Sequence, residues 1–398
     1  MADLPWLTIV GLSEAGAEDL SCAARQALET AELVLGAARH LSLLPGLRCE
    51  VREWPVPFAD GVPLLLAERG RRVVMLASGD PFWFGAGTSV TRHLARDEWI
   101  AHPAPSSFAL AAARLGWAVQ DVDCLGLHAA PFARLRPHLA PARRLLVLVR
   151  DGSAVTELAG YLSEQGFGAS TLHVLEALGG TRERVRATQA AAFALDDVAH
   201  PVAIGIDVAG AGAVLPIAAG RPDSWFDSDG QLTKQPVRAL TLSALAPRPG
   251  ELLWDIGAGS GSIGIEWLLA HAANRAIAVE ADAVRAQRAR ANAARLGVER
   301  LDVLEGRAPG VLPEGRADAV FIGGGLSQAM LEALWARLPA GTRLVANAVT
   351  LESEALLAQW NGAAGGSLLR IELADAVPLG TRHGWRARYP VVQWSVTR

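Results

Sequence analysis

Short apolar runs alternate with longer stretches of helical spacing along the whole chain. Trp6 to Val10 reads as a buried strand ending at Gly11, and the Ala-rich stretch from Ala17 to Leu28 repeats its apolar positions at helical intervals. Further strand-like runs follow at Leu33–Leu35, Val73–Leu76, Leu145–Val149, Leu172–Leu175 and Val202–Ile206. Past the middle a second series begins, at Leu252–Ile256, Ala276–Val279, Asp302–Leu304, Ala319–Ile322 and Arg343–Asn347. Helical stretches separate the runs in both series, which predicts α/β layers built on parallel strands. Between the two series the texture changes. GRPDSWFDSDGQLTKQP, Gly220 to Pro236, is rich in Gly, Pro, Asp and Ser and has little apolar periodicity, as a linker would. The predicted organisation is a first domain over 1–215, a linker over 216–232 and a second domain over 233–398.

A length of 398 residues agrees, being too much for one ordinary core. The chain is 51% hydrophobic and 20% charged, a globular balance, and its net charge of −4 argues against an extended nucleic-acid-binding face. Cys22, Cys49 and Cys124 are scattered, with no C-x-x-C and no Cys/His cluster at zinc spacing. Free thiols in a reducing compartment, and no metal site, are expected. MADLPWLTIVGLSEAG has no basic stretch ahead of an apolar core, and no apolar run reaches the roughly 18 residues of a membrane span. The expectation is a cytoplasmic protein with neither nucleic acid nor membrane as partner.

Candidate chemistry is densest in LLWDIGAGSGSIGIEWLL, Leu252 to Leu269. Its glycines fit two patterns. Gly259-Ser-Gly261-Ser-Ile-Gly264 is the G-x-G-x-x-G of dinucleotide sites, and Asp255-Ile-Gly257-Ala-Gly259-Ser-Gly261 is a D-x-G-x-G-x-G. Both place a tight glycine turn before a helix whose first N–H groups are free. Asp255 separates them: a carboxylate at the strand end suits a cationic ammonium and sulfonium, and gains nothing beside an anionic pyrophosphate. Glu280, at the end of the next strand, suits ribose hydroxyls of either cofactor. A helix, VRAQRARANAARLG, then a third strand, Glu305-Gly306-Arg307-Ala308, and a fourth strand opening into Gly323–Gly325 complete the order. This set resembles the class I S-adenosylmethionine-dependent methyltransferases. The resemblance implies that Asp255, Gly257, Gly259, Ser260, Gly261, Ser262 and Glu280 hold S-adenosylmethionine, with the adenine at Gly306, Arg307 and Ala308. The fourth strand lacks an N-P-P-Y tip, so methylation of a nucleobase amine is not expected.

Three stretches carry the first half: Val10-Gly-Leu-Ser-Glu-Ala-Gly16, Ala77-Ser-Gly-Asp-Pro-Phe-Trp-Phe-Gly85 and PAPSSFALAAARLGW from Pro103. Each is a strand end, then small residues, then a helix. Taken together, with EALGGTRERV from Glu176, they resemble the tetrapyrrole methylase family, whose members bind S-adenosylmethionine between two α/β lobes. The resemblance implies cofactor contacts from Gly11, Gly79, Asp80, Trp83, Ser106 and Ser107. Asp80 is read equally as a cap of the following helix. The first loop departs from the family's G-x-G-P-G: it lacks the proline and carries Glu14, a negative charge where an anionic substrate would approach.

A two-lobed tetrapyrrole methylase domain followed by a class I Rossmann-like methyltransferase domain is similar to the fused, decarboxylating precorrin methyltransferases of cobalamin biosynthesis. TKQPVRALTLSALAPRPGELLWDIGAGSGSIGIEW and NAVTLESEALL resemble their second module. That family implies methylation of carbons 5 and 15 of the macrocycle, removal of the carbon 12 acetate carboxyl, one S-adenosylmethionine per domain, and subunit self-association. Carbon 5 would fall to the first domain; carbon 15 and the decarboxylation to the second. The precorrin substrate's carboxylates call for Arg or Lys partners. Lys234, Arg238, Arg382 and Arg386 are the candidates, the last two in a basic group with His383 and Arg388. Glu266 is a weak candidate proton carrier, with helix packing or capping as its alternative. Two rival readings remain: a nicotinamide-dependent oxidoreductase, and a chain whose first half only holds substrate.

Overall fold

A computed structural model describes residues 5–398. The chain divides into two compact units. The first runs to Phe132 and from His138 to Ala213; the second comprises Ala133–Pro137 and Val214–Arg398.

The first unit contains two five-stranded sheets. One is wholly parallel, in the order Glu50–Glu53, Leu33–Gly36, Val73–Ser78, Leu7–Leu12, Trp99–His102. Its central strands are apolar at successive positions because both faces are covered. Leu7, Ile9, Leu33 and Met75 pack on one side; Val10, Leu12, Val34 and Leu76 meet Ala24 and Leu28 on the other. The stretch predicted as one helix over Ala17–Leu28 is two pieces, a 3₁₀ turn at Gly16–Asp19 and a helix at Cys22–Thr30. Ser21 separates them, since its extended backbone lets its hydroxyl accept from the Ala24 N–H as a cap. The other sheet departs from the parallel expectation. Its order is Asp123–Gly126, Arg144–Leu148, Val202–Asp207, Thr171–Glu176, Arg184–Gln189. Val202–Asp207 enters between two strands that run the other way, and Arg184–Gln189 returns antiparallel to Thr171–Glu176, so three of the four pairings are antiparallel.

In the second unit a seven-stranded sheet has the order Asp302–Glu305, Arg275–Glu280, Leu252–Ile256, Ala319–Ile322, Arg343–Ala348, Val391–Thr397, Ser367–Ile371. The first five are parallel, and Val391–Thr397 is antiparallel to both of its neighbours. Leu252–Ile256 is buried throughout, with Leu253 facing Ile263, Trp267 and Phe321, and Trp254 facing Val320 and Trp394. From this strand the chain steps outward twice, then returns to its other side at Ala319–Ile322. That reversal is a topological switch point, where the loops at the carboxyl ends of the two strands diverge and leave a crevice. The predicted linker is not a loose tether. Gly220 and Arg221 bond to Glu266, Asp223–Trp225 forms a 3₁₀ turn, and Phe226 is buried in this unit's core. The segment was unreadable as structured because one buried aromatic and a run of backbone hydrogen bonds leave no periodicity. Ala374–Leu379 and Arg382–Ala387 form a separate hairpin.

Candidate functional site

Each unit has a cavity at the carboxyl ends of its parallel strands. In the first unit it measures about 400 Å³ and is lined by all three predicted loops. They close on one another through backbone. Gly79 donates to the Leu12 carbonyl at 3.0 Å, and its own carbonyl accepts from Ala104 at 3.1 Å. Gly11 lies underneath, within the strand and outside the cavity lining: a Cβ there would sit 2.0 Å from the Gly79 oxygen and 2.5 Å from the Ala104 nitrogen. In this structure it lets the loops pack closely. Gly79, with φ +50°, Asp80, Trp83, Ser106 and Ser107 do line the space. Asp80 does not cap the helix at Ala86–Thr91, whose N-cap is Gly85; its Oδ1 accepts from the Phe82 N–H at 2.8 Å and shapes the turn. Ser106 caps the helix Ser107–Leu115 through the Ala109 N–H, and Trp83 packs 5.0 Å from the Phe108 ring.

Glu14, the departure in the first loop, is almost wholly buried and ion-paired with Arg39 and, at 3.1 Å, Arg182. Its charge is therefore neutralised rather than presented to an anionic ligand. Arg39 and His40 both reach the Ser78 hydroxyl, at 2.7 and 2.9 Å. Burial, reinforced by the neighbouring Arg39, lowers the His40 pKa to about 4, so the ring is neutral at physiological pH. Sequence reasoning missed Arg39, His40, Arg150, His128 and His200, which also line this cavity. One signal was present: Arg39 and His40 come just after the strand Leu33–Gly36, where an apolar pattern gives way to two polar residues.

The second cavity, about 660 Å³, opens at the switch point. Gly257, Gly259 and Gly261 adopt φ of +71°, +58° and +76°, which L side chains rarely tolerate. A Cβ on Gly257 would also lie 2.6 Å from the Gly324 nitrogen, so the tips of the first and fourth strands touch backbone to backbone. Gly257, Gly259, Ser260, Glu280, Gly306, Arg307, Ala308 and Gly323–Gly325 line the cavity, as does Lys234. Glu280 accepts from Gly259 and Asp282, at 2.8 and 2.9 Å, one N–H on each oxygen. Each oxygen keeps a lone pair for a hydroxyl. Gly261 and Ser262 lie outside the lining, at the start of the helix Ser262–Ala270.

Five further predicted residues are placed elsewhere. Asp255 is buried beneath the glycine loop; its Oδ2 accepts from Gly264 at 2.9 Å, and its Oδ1 has no protein partner. Burial, with the nearby Glu280 adding and the Gly264 N–H opposing, raises its pKa to about 7. Arg238 is fully buried, with Nε 2.6 Å from Glu266 Oε1, so it is unavailable as a surface grip on substrate. Glu266 is equally enclosed and accepts from Arg221 and Gly220 as well, so it reaches no cavity as a proton carrier. A charge pair 28 positions apart leaves no spacing signature in the sequence. Arg382 and Arg386 lie on the exposed hairpin, away from the cavity lining, where the latter faces Asp375 across the strands.

The glycine cradle and the spare acceptors of Glu280 fit a nucleoside ligand. Comparison with known proteins agrees. Residues 7–194 match the family of tetrapyrrole (corrin/porphyrin) methylases, and residues 224–398 the precorrin methyltransferase domain. The chain is 49% identical over 400 residues to a precorrin-6Y C(5,15)-methyltransferase [decarboxylating] of a Sinorhizobium species, covering 99% of this chain and 97% of that protein. It is 33% identical over 165 residues to a cobalt-precorrin-6B C(15)-methyltransferase (decarboxylating) of Salmonella typhimurium, covering 40% of this chain and 85% of that one. A solved C-terminal domain of a precorrin-6Y C5,15-methyltransferase from Rhodobacter capsulatus is 53% identical with a TM-score of 0.44, over 46% of this chain and all of that domain. The full-length match, running through both halves in the same order, makes this chain a member of the decarboxylating precorrin-6Y C5,15-methyltransferase family.

Proposed function

We propose that the chain transfers two methyl groups from S-adenosylmethionine to a precorrin, at carbon 5 in the first unit and carbon 15 in the second, where the carbon 12 acetate also loses its carboxyl. The carrying observation is that each unit has its own cavity of ligand size at its parallel strand ends, walled by glycine backbone. S-adenosylmethionine supplies an electrophilic methyl on a positive sulfur. Residues of the chain bind and orient. In the second unit Glu280 receives ribose hydroxyls, and Gly257, Gly259 and Ser260 let the ligand approach the backbone. Asp255 acts from below, where its Oδ2 holds the Gly264 N–H at the first turn of the helix. In the first unit Gly79, Asp80, Trp83, Ser106 and Ser107 form the wall. Enclosure by backbone and aromatic side chains excludes water, and positioning does most of the remaining work. Lys234, exposed at the second cavity, grips a substrate carboxylate. The first unit is read as a working site rather than a scaffold because the altered loop still lines its cavity and Glu14 is charge-paired.

We also infer self-association, supported by the family and by Leu379, Trp385 and Tyr389, 70%, 79% and 90% exposed on and just after the hairpin. Light scattering tests it. The experiment on function is calorimetric titration of S-adenosylhomocysteine into the full chain. Two sites per chain are expected; one site would reduce the first unit to a substrate holder.

A further inference from the structure

The buried cluster around Glu266 has one connection that leads to the second cavity. The carboxylate accepts four hydrogen bonds: from Arg238 Nε at 2.6 Å, Arg221 N at 3.0 Å, Gly220 N at 2.8 Å and Arg221 Nη1 at 3.2 Å. Arg238 is thereby fixed, stacked 4.7 Å over Phe226. Its outer nitrogens continue. Nη2 reaches the Arg221 carbonyl and, at 3.1 Å, Asp223; Nη1 donates to the Thr233 carbonyl. Thr233 belongs to the stretch Gln231–Lys234, and all four of these residues line the cavity. The Gln231 carbonyl faces the glycine loop, 3.7 Å from where a Cβ on Gly259 would stand. The stretch itself lies outside any helix or strand; its end is tied where the Lys234 carbonyl accepts from the Arg238 N–H at 2.8 Å as the N-cap of the helix Gln235–Leu245, and Leu232 packs against the core. Beside the Arg238 bond to Thr233, its side-chain bonds are a 3.4 Å contact from Lys234 to the Gly230 carbonyl and a turn bond from Gln231 N to Asp229.

We propose that Glu266 and Arg238 are positioning residues, which hold Gln231–Lys234 as the wall of the second cavity opposite the glycine loop. A buried charge pair is weak evidence for stability in itself, since desolvation offsets much of its attraction. Here the guanidinium's fork does what a point charge cannot: it serves a carboxylate on one edge and three oxygens on the others. The inference rests on reading this cavity as the S-adenosylmethionine site.

Arg238→Lys tests it in the full chain. Lysine keeps a positive charge for Glu266 but has no fork to reach Thr233 as well. Titration with S-adenosylhomocysteine should show one site unchanged, that of the first unit, and one weakened about tenfold at full stoichiometry, the expected loss for one charge-assisted bond. A merely structural role predicts the reverse: fewer sites, because less of the second unit is folded, with unaltered affinity in those that remain. That result overturns the proposal. Should Arg238→Lys fail to fold, hydrogen exchange on the unaltered chain decides. Addition of S-adenosylhomocysteine should protect the amides of 231–234 together with those of 257–260. Protection of 257–260 alone removes the wall; protection of neither removes the reading of the cavity, and the proposal with it.

Discussion

In the first unit the cavity floor is assembled from three loops far apart in the chain, joined by Gly11, Gly79 and Ala104. In the second a single loop carries three glycines at positive φ and meets one other strand tip. The charges differ too. Beside the first cavity stand an ion-paired carboxylate, Glu14, and a neutral imidazole, His40; beneath the second lies Asp255, whose burial favours its protonated form. A cavity floor can thus be a pieced-together one stiffened by ion pairs or a continuous strand–turn–helix. The first depends on long-range packing, the second on local backbone conformation.

The sharpest way to break this comparison is a crossed pair of substitutions. Gly11→Ala forces a Cβ into two backbone groups, and Gly257→Ala adds a clash at Gly324 to a positive φ. Each should cost about 3 kcal/mol or more. Each should also remove one S-adenosylhomocysteine site and leave the other, as titration of the full chain reads directly. Loss of both sites from either substitution would mean that the cavities are not independent.

Acid should move the units in opposite directions. His40 titrates at about 4 when folded and at 6.5 when unfolded, so its contribution is complete above pH 6.5 and is lost as the unfolded chain takes up the proton. From pH 6.5 to 5 that loss is about 2 kcal/mol. Asp255 behaves oppositely: folded at about 7 and unfolded at 3.8, it binds its proton more tightly in the native state. Stability from this group rises by about 1.4 kcal/mol for each pH unit below 7, down to the unfolded value. Thermal melts of His40→Gln and Asp255→Asn between pH 5 and 8 should flatten the two dependences separately. An unchanged slope in Asp255→Asn would mean that the carboxyl stays ionised.

Smaller effects sharpen the picture. Glu14→Ala leaves Arg39 and Arg182 without their carboxylate and should cost about 1 kcal/mol, since Arg182 is largely exposed. Urea unfolding of the first unit measures it. Lys234→Glu should raise the substrate KM by several-fold, roughly the effect of reversing one exposed charge at a binding cleft. The same reversal at Arg382 and Arg386, on the hairpin away from the cavity lining, should change it by less than about twofold.

Much of the site was legible because its parts are local. A strand, a glycine turn and a helix occupy consecutive residues, so the lining residues Gly257, Gly259 and Ser260, and Gly79 with Ser106, are visible in the sequence alone. Parallel central strands were legible as apolar runs. Edge strands such as Glu50–Glu53 and Arg184–Gln189, largely exposed or exposed at every second position, were not. Direction and pairing were also hidden. Nothing in the residue types told whether Asp255 points into the cavity or beneath it, because burial is decided by the helix packed against it. The Arg238–Glu266 pair and the Glu14–Arg39–Arg182 group are made only when distant elements meet.

The packed segment after residue 213 bears on how the molecule can be dissected. Leu215 and Phe226 belong to the same core as Leu242, Leu253 and Trp267, and Leu232 packs against it. A fragment begun at 233 would discard those side chains and leave Glu266 and Arg238 short of their partners Arg221 and Asp223. Scissors placed where the texture of the chain looks loosest would therefore cut through the interior of the second unit. A half intended to stand alone has to begin no later than Val214.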